Sequence, residues 1–205
     1  MSFVSAAFID AFLALYFSSV ALFYTVRILL QRRQQPSVAL VNHGQRWQRQ
    51  WLTHTSFRLF RGLIWGVCVL RVWLPEVDVL IGVVALEPAW RGLGALLLLC
   101  GFGVALIGHR TLGAQWRSGV HAMQRTELIT HGIYAHSRNP MFIGVRMALL
   151  GFLLALPSLL SLASLLCGWW MLSVQARVEE EHLGRLHGQH YQRYQQHVAR
   201  WWSLR

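Results

Sequence analysis

Lysine is absent from this chain: all nineteen basic residues are arginine. We read that bias as the codon usage of a GC-rich genome and attach no function to it. Acidic residues are scarce, eight against those nineteen arginines, so the position of each one is informative. Cysteine is scarcer still, and Cys68, Cys100 and Cys167 each stand alone in an apolar segment. No CxxC pair occurs, which argues against a zinc site and against a disulfide framework. Isolated cysteines in apolar spans act as small packing residues. No basic residue precedes the first apolar run, and that run is too long for a signal-peptide core, so no cleavable leader is expected. Internal repeats and a second domain are likewise missing. Residues 1–205 read as one membrane domain, with membrane helices in 1–110 and the chemistry in 111–205.

What the chain does have is apolar length. Of its 205 residues, 55% are hydrophobic, and the mean hydropathy is positive. That composition belongs to an integral membrane protein. The formal charge of +11 would suit nucleic acid if it sat on one soluble module. Here the arginines lie between apolar spans and no nucleic-acid recognition motif accompanies them. Anionic lipid headgroups are the expected partner. Oligomeric state is not encoded in any pattern we find.

A bilayer-crossing helix needs about 20 mostly apolar residues. Residues 1–30 supply one, with Asp10 as the only acid; 57–86 contain a second, with Pro75 as a kink or end; 90–109 are a third. Residues 141–174 are too long for one crossing, and Pro157-Ser158 falls near their middle, so they read as a tight hairpin of two helices. The expected fold is all-α, with five transmembrane helices and a cytoplasmic C-terminal helix.

The arginine partition orients the chain. Segment 31–58 holds Arg32, Arg33, Arg46, Arg49 and Arg58 and no acid. Segment 110–140 holds Arg110, Arg117, Arg125 and Arg138 against Glu127, and the tail holds Arg177, Arg185, Arg193, Arg200 and Arg205. By contrast, Glu76, Asp78 and Glu87 cluster in 75–90. The expectation is a bacterial inner-membrane protein with its N-terminus outside and its C-terminus in the cytoplasm. Trp47 and Trp51, interleaved with Arg46 and Arg49, suggest an interfacial helix on the cytoplasmic surface, and Trp201-Trp202 an anchor for the tail in the same layer. Asp10, an acid in or near a span, is a functional candidate by default or an outer-interface residue.

Polar, turn-rich chemistry flanks the hairpin. Before it stand Gly132, Tyr134, Asn139, Pro140, Phe142 and Gly144; after it come Arg177, Glu179, Glu180 and Glu181. Folding the hairpin back brings these ends together at one membrane face. Pro140 suits a first helical turn and Gly132 a bend. A helix start there would offer backbone N–H groups to a carboxylate, and the rings of Tyr134 and Phe142 would flank a purine. Arg177 and Glu181 are four apart and share a helical face. They read either as an exposed ion pair or as a division of labour, the carboxylate for an ammonium and the guanidinium for an anion. His182, His187, His190 and His197 match no usual metal-ligand spacing and read as a solvated amphipathic tail. Tyr191, Tyr194 and Val198 read as a face packed over the site.

These residues resemble the isoprenylcysteine carboxyl methyltransferase family and its bacterial and archaeal relatives, with phospholipid N-methyltransferases as more distant kin. The resemblance covers roughly residues 112–201. It runs through Leu112-Gly-Ala-Gln-Trp116, Leu128-Ile-Thr-x-Gly-x-Tyr134, Arg138-Asn-Pro-Met-Phe-x-Gly144 and Arg177-x-Glu-Glu-Glu181. Leu183, Gly188, Tyr191, Tyr194, Val198 and Arg200 resemble the family's tail. The first hundred residues carry no motif.

The resemblance implies an enzyme, an S-adenosylmethionine-dependent methyltransferase working at the cytosolic face on a lipophilic acceptor. That acceptor would be the carboxylate of an isoprenylcysteine-like molecule, or another small lipid, amine or thiol. It further implies that Gln124, Thr126, Glu127, Leu128, Ile129, Tyr134, Asn139, Pro140, Met141, Phe142 and Glu181 line the S-adenosylmethionine pocket. Arg177 would face the acceptor, and Arg177 and Glu181 would be the catalytic pair. Asn139 stands where the family usually has histidine and Phe142 where it usually has tyrosine, so a titratable proton and a hydroxyl are both missing. Two alternatives are an NADPH-dependent membrane reductase on a related architecture and a non-catalytic membrane interaction protein.

Overall fold

The computed structural model describes residues 6–34, 49–113 and 127–202. These residues are helical, with no strand among them: α1 (Ala6–Gln34), α2 (Arg49–Leu70), α3 (Val77–Ile81), α4 (Pro88–Leu112), α5 (Pro140–Ala155), α6 (Leu159–His187) and α7 (Gln189–His197). A 3-10 turn, Gly132–Ala135, precedes α5. Among the described residues, α1, α4 and α6 are long and apolar enough to cross a membrane.

Several boundaries differ from the expected spans. The segment expected as a separate interfacial helix is continuous with the second span, because α2 starts at Arg49 and reaches Leu70 without a break. Trp51 lies on it, and Trp47 lies outside the described residues. The chain then leaves α2 before Pro75 and makes the short α3. The hairpin is divided unequally. The sixteen residues of α5 rise about 24 Å, short of the roughly 30 Å of a hydrocarbon core. The 29 residues of α6 run past Val174, through the glutamates, to His187. The turn itself is built by Ser158, whose side chain accepts from the Ser161 backbone N–H while Ser161 Oγ accepts from the Ser158 N–H. This reciprocal cap satisfies donors that the start of α6 would otherwise leave open.

Contacts fix the helix directions. Tyr16 donates to the Leu98 carbonyl (3.0 Å) and Arg27 to the His109 carbonyl (3.2 Å), so α1 and α4 run parallel. Arg71 pairs with Asp10, and Trp65 Nε1 donates to Ser18 Oγ (3.0 Å), so α2 runs back along α1. One end of the molecule therefore holds Asp10, Arg71, Asp78 and the Pro157 turn. Here Arg71 bridges Asp10 (3.0 Å) and Asp78. That assigns Asp10 a tie between α1, α2 and α3, with no role in the chemistry at the other end.

The closest packing is between α4 and α5. Gly94, Gly101 and Gly108 recur every seven residues on α4, and Gly144 and Gly151 do so on α5. A Cβ at Gly101 would run into the Gly144 carbonyl oxygen, and one at Gly144 into that of Gly101. Membrane helices gain no hydrophobic drive from leaving lipid, so small residues that allow backbones to touch decide the seam. Leu98 and Ala105 fill the positions between. The seam carries a prediction. Gly101→Ala should destabilise the folded protein by about 1–3 kcal/mol, although alanine is the better helix former. Gly103→Ala, which meets nothing within 4 Å, should be neutral or slightly stabilising. Thermal melting of the two variants in the same detergent checks this; equal melting points would show that α4 and α5 are not in backbone contact.

Candidate functional site

Residues of α1, α2, α4, α5 and α6, with Tyr191 and Tyr194 of α7, enclose a cavity of about 450 Å³, within the usual range of small-molecule sites, ≈ 300–1,000 Å³. Along α5 its lining extends from Phe142 through Val145, Ala148 and Leu149 to Phe152, about 15 Å of helix. The deep walls are Phe17, Ile64, Phe102 and Phe152. The mouth is polar, with Asn139, Gln175, Glu179 and Glu180.

The order of the mouth begins with Glu180, which is buried. Its carboxylate meets the Arg138 guanidinium at 3.0 Å. It also accepts from Arg200 Nε and Nη2 (3.0 and 2.9 Å) and from Asn139 Nδ2 (3.1 Å). Three segments far apart in sequence are joined at one side chain. Backbone contacts reinforce the join: the Arg138 N–H donates to the Ala199 carbonyl (3.0 Å), and Asn139 Nδ2 also donates to the Arg200 carbonyl (3.2 Å). The residues after α7 thus lie along 137–139 as a strap. Trp201 seats its ring under the Arg146 guanidinium, 3.5 Å from the centroid, and Trp202 stacks on His136. The tail tryptophans hold the strap to α5 and the 3-10 turn.

The neighbouring Glu179 points into the cavity. Its Oε1 accepts from Gln175 Nε2 (2.9 Å), and no guanidinium among the described residues pairs with it. Glu179 is thus a carboxylate in the cavity wall without a cationic partner among the described residues. Tyr134 is buried behind it, and its carbonyl accepts from the Tyr194 hydroxyl (2.6 Å). Tyr191 and Tyr194 on α7 pack with Val198, Leu128 and Leu183 over the site. Burial first, and then the Glu180 carboxylate, push the Tyr191 hydroxyl up to about 12 against the pull of Arg138 and Arg200. It stays neutral at physiological pH and offers a dipole, not a base.

The residues expected at the site are distributed unevenly. Glu127, Leu128, Ile129, Tyr134, Asn139, Met141 and Phe142 all line the cavity. Pro140 is buried at the first turn of α5, beside the lining. Gln124 and Thr126 lie outside the described residues. Arg177 and Glu181 are exposed and belong to no part of the lining. The inward stripe of α6 is Leu172, Gln175, Glu179 and Leu183, with Glu180 beside it, and Arg177 sits about 200° round from Glu179. Tracking the buried positions Met171, Leu172, Gln175 and Ala176 finds this face, whereas the i,i+4 spacing of an ion pair selects its back. The Asn139 amide donates to Glu180 and to the Arg200 carbonyl of the strap. Sequence reasoning also missed the contribution of α1 and α2, which carry no motif yet supply Tyr24, Phe57 and Arg61 to the lining.

Removing the Glu180 charge should be costly. Glu180→Gln leaves Arg138 and Arg200 facing each other without their counter-charge, and breaking a buried pair costs about 3–5 kcal/mol. Glu181→Gln, on the exposed face, should change stability by less than about 0.5 kcal/mol. Denaturant or thermal unfolding in detergent compares them, and a Glu180→Gln protein as stable as the Glu181→Gln protein would remove Glu180 from the centre of the network.

Residues 90–190 match the family model described as phospholipid methyltransferase. No curated protein and no solved structure matches the chain.

Proposed function

We propose that this chain, whose residues 90–190 match the phospholipid methyltransferase family model, is an integral membrane methyltransferase that takes its methyl group from S-adenosylmethionine and passes it to a lipophilic acceptor. The observation that carries the reading is Glu179. A carboxylate without a cationic partner faces a cavity with otherwise mostly apolar walls, and S-adenosylmethionine brings an ammonium and a sulfonium. The aromatic side chains of Tyr134 and Phe142 stand in the same lining and suit the adenine ring.

When bound, S-adenosylmethionine supplies a methyl group already activated by positive sulfur, which leaves as a neutral thioether when the acceptor attacks. The chain's own part is placement and exclusion of water. Glu179 holds the cofactor's cationic end by a charge-assisted contact. Glu180, saturated by Arg138, Arg200 and Asn139, keeps the strap and the start of α5 in register. Tyr191 and Tyr194 cover the mouth. The apolar walls along α5 receive the acceptor's chain. Reacting atoms held about 3–3.5 Å apart are what such a site has to provide.

Glu179→Gln should weaken S-adenosylmethionine binding by about tenfold or more, the scale of a lost hydrogen bond to a charged group. Glu181→Gln and Arg177→Ala should leave it within about twofold. Calorimetry on detergent-solubilised protein, with NADPH as the contrast ligand, measures this. Binding of NADPH instead would make the chain a reductase on this architecture, and loss of affinity in Arg177→Ala would return Arg177 to the cofactor site.

The orientation is part of the proposal. Arg32 and Arg33 at the end of α1 and Arg110 at the end of α4 share one end with the Glu180 network, and Glu76, Asp78 and Glu87 belong to the α2–α4 connection at the other. Arginine retention places the cavity mouth and the C-terminus in the cytoplasm and the N-terminus outside, with five crossings of a bacterial inner membrane. Reporter fusions after residue 82 and residue 205 should report opposite compartments; the same compartment at both would rule out five crossings.

A further inference from the structure

The α2 wall of the cavity carries a polar group that methyl transfer, as set out above, does not use. Arg61 on α2 lines the cavity. Its guanidinium lies over the Tyr24 ring, 5.3 Å from the centroid. The Tyr24 hydroxyl is 3.0 Å from His109 Nε2, and the His109 ring packs edge-on against Phe23 and Tyr24. A tyrosine pinned in this way is a firm seat for a cation. None of the described carboxylates pairs with Arg61: Asp10 and Asp78 go to Arg71, and Glu180 goes to Arg138 and Arg200. The position in depth is also fixed. Gly108, next to His109, abuts Met141, so the group stands beside the first turn of α5, level with the polar mouth and above the apolar depth that ends at Phe152.

Arg61 is exposed, yet its guanidinium lies over an aromatic face that is itself part of the cavity lining. A guanidinium presents a fork of donors matched to carboxylate or phosphate oxygens. The same cavity holds Glu179, on α6, without a cationic partner among the described residues, so an anion and a cation would be met by different helices.

We infer that Arg61, seated on Tyr24, is the anion-recognition group of this cavity, which takes an amphiphile whose carboxylate or phosphate meets Arg61 while its apolar chain runs along α5 toward Phe152. This rests on reading the cavity as the acceptor's site, and it makes α2, outside the family-matched segment, a determinant of acceptor choice.

The test uses the full chain in neutral maltoside micelles and three probes of equal chain length: dodecanoate, dodecyl phosphate and 1-dodecanol. One of the two anions should bind about tenfold or more tighter than the alcohol. Arg61→Gln should reduce that preference to about twofold or less, and Arg61→Lys should retain part of it, since an ammonium keeps the charge but not the fork. Arg58→Gln, exposed on the same helix and outside the lining, should keep the preference whole. Inorganic phosphate should not displace the bound amphiphile; displacement would overturn the claim that head and chain are read together. No preference in the unaltered protein, or a preference that survives Arg61→Gln, would overturn the assignment of Arg61. S-adenosylmethionine titrated into the same preparations separates the two readings. Its failure to bind the unaltered protein would sink the cofactor proposal, and the anion preference would still decide for or against Arg61.

Discussion

A buried carboxylate holds the polar end of this protein together. Glu180 stands near the end of a long apolar helix and collects a guanidinium from before α5, another from beyond α7, and the amide of Asn139. A charge in that position is expensive unless its partners are fixed. Their fixing organises everything nearby: the strap lies along 137–139, α7 closes over Leu128 and Leu183, and α5 starts where Asn139 is held. The cavity mouth has a shape because this one oxygen pair is satisfied from three directions. It also leaves Glu180 without a free oxygen for a ligand, while its neighbour Glu179 lacks a guanidinium partner among the described residues.

The opposite constraint operates in the apolar half. Between α4 and α5, contact depends on glycines spaced by sevens whose missing Cβ atoms let carbonyls face backbone. That close seam borders the cavity, whose lining takes in Gly101, Ala105 and Gly144 and extends from there to α1, α2 and α6. The short α5 is consistent with this. It need only run from the polar network to the Ser158 cap, and α6 carries the extra length into the polar layer.

Much of this was legible in the residues. The helical class, the hairpin at Pro157-Ser158, the meeting of its two polar ends and most of the connector residues in the lining follow from apolar length, turn chemistry and motif. The seven-residue glycine repeat was also there to be read as a packing seam. What spacing misjudged was rotation about α6. Three adjacent glutamates look equivalent in sequence, and pairing Arg177 with Glu181 is the natural choice from i,i+4 geometry. Only the buried positions one and two turns earlier tell which side of the helix faces inward, and they turn Glu179 and Glu180 in and Glu181 out. The α1 and α2 contribution was illegible for a different reason. Arg61 falls inside the expected second span, 57–86, and nothing local reveals that Tyr24, thirty-seven positions earlier, lies beneath it.

These two origins of the cavity's walls have a consequence for how such a site varies. The segment that matches the family model supplies Glu179, Glu180 and the aromatic connector residues, whose geometry is tied to one network and leaves little freedom. Helices α1 and α2 touch that network nowhere among the described contacts. They are held instead by the Arg71 bridge at the far end and by the Tyr16 and Arg27 contacts to α4. A substitution at Arg61 therefore changes what the cavity attracts without disturbing the groups that order its mouth, whereas a substitution at Glu180 disturbs both. Separating the wall that orders the mouth from the wall that chooses a partner lets one architecture keep its chemistry while its acceptor changes.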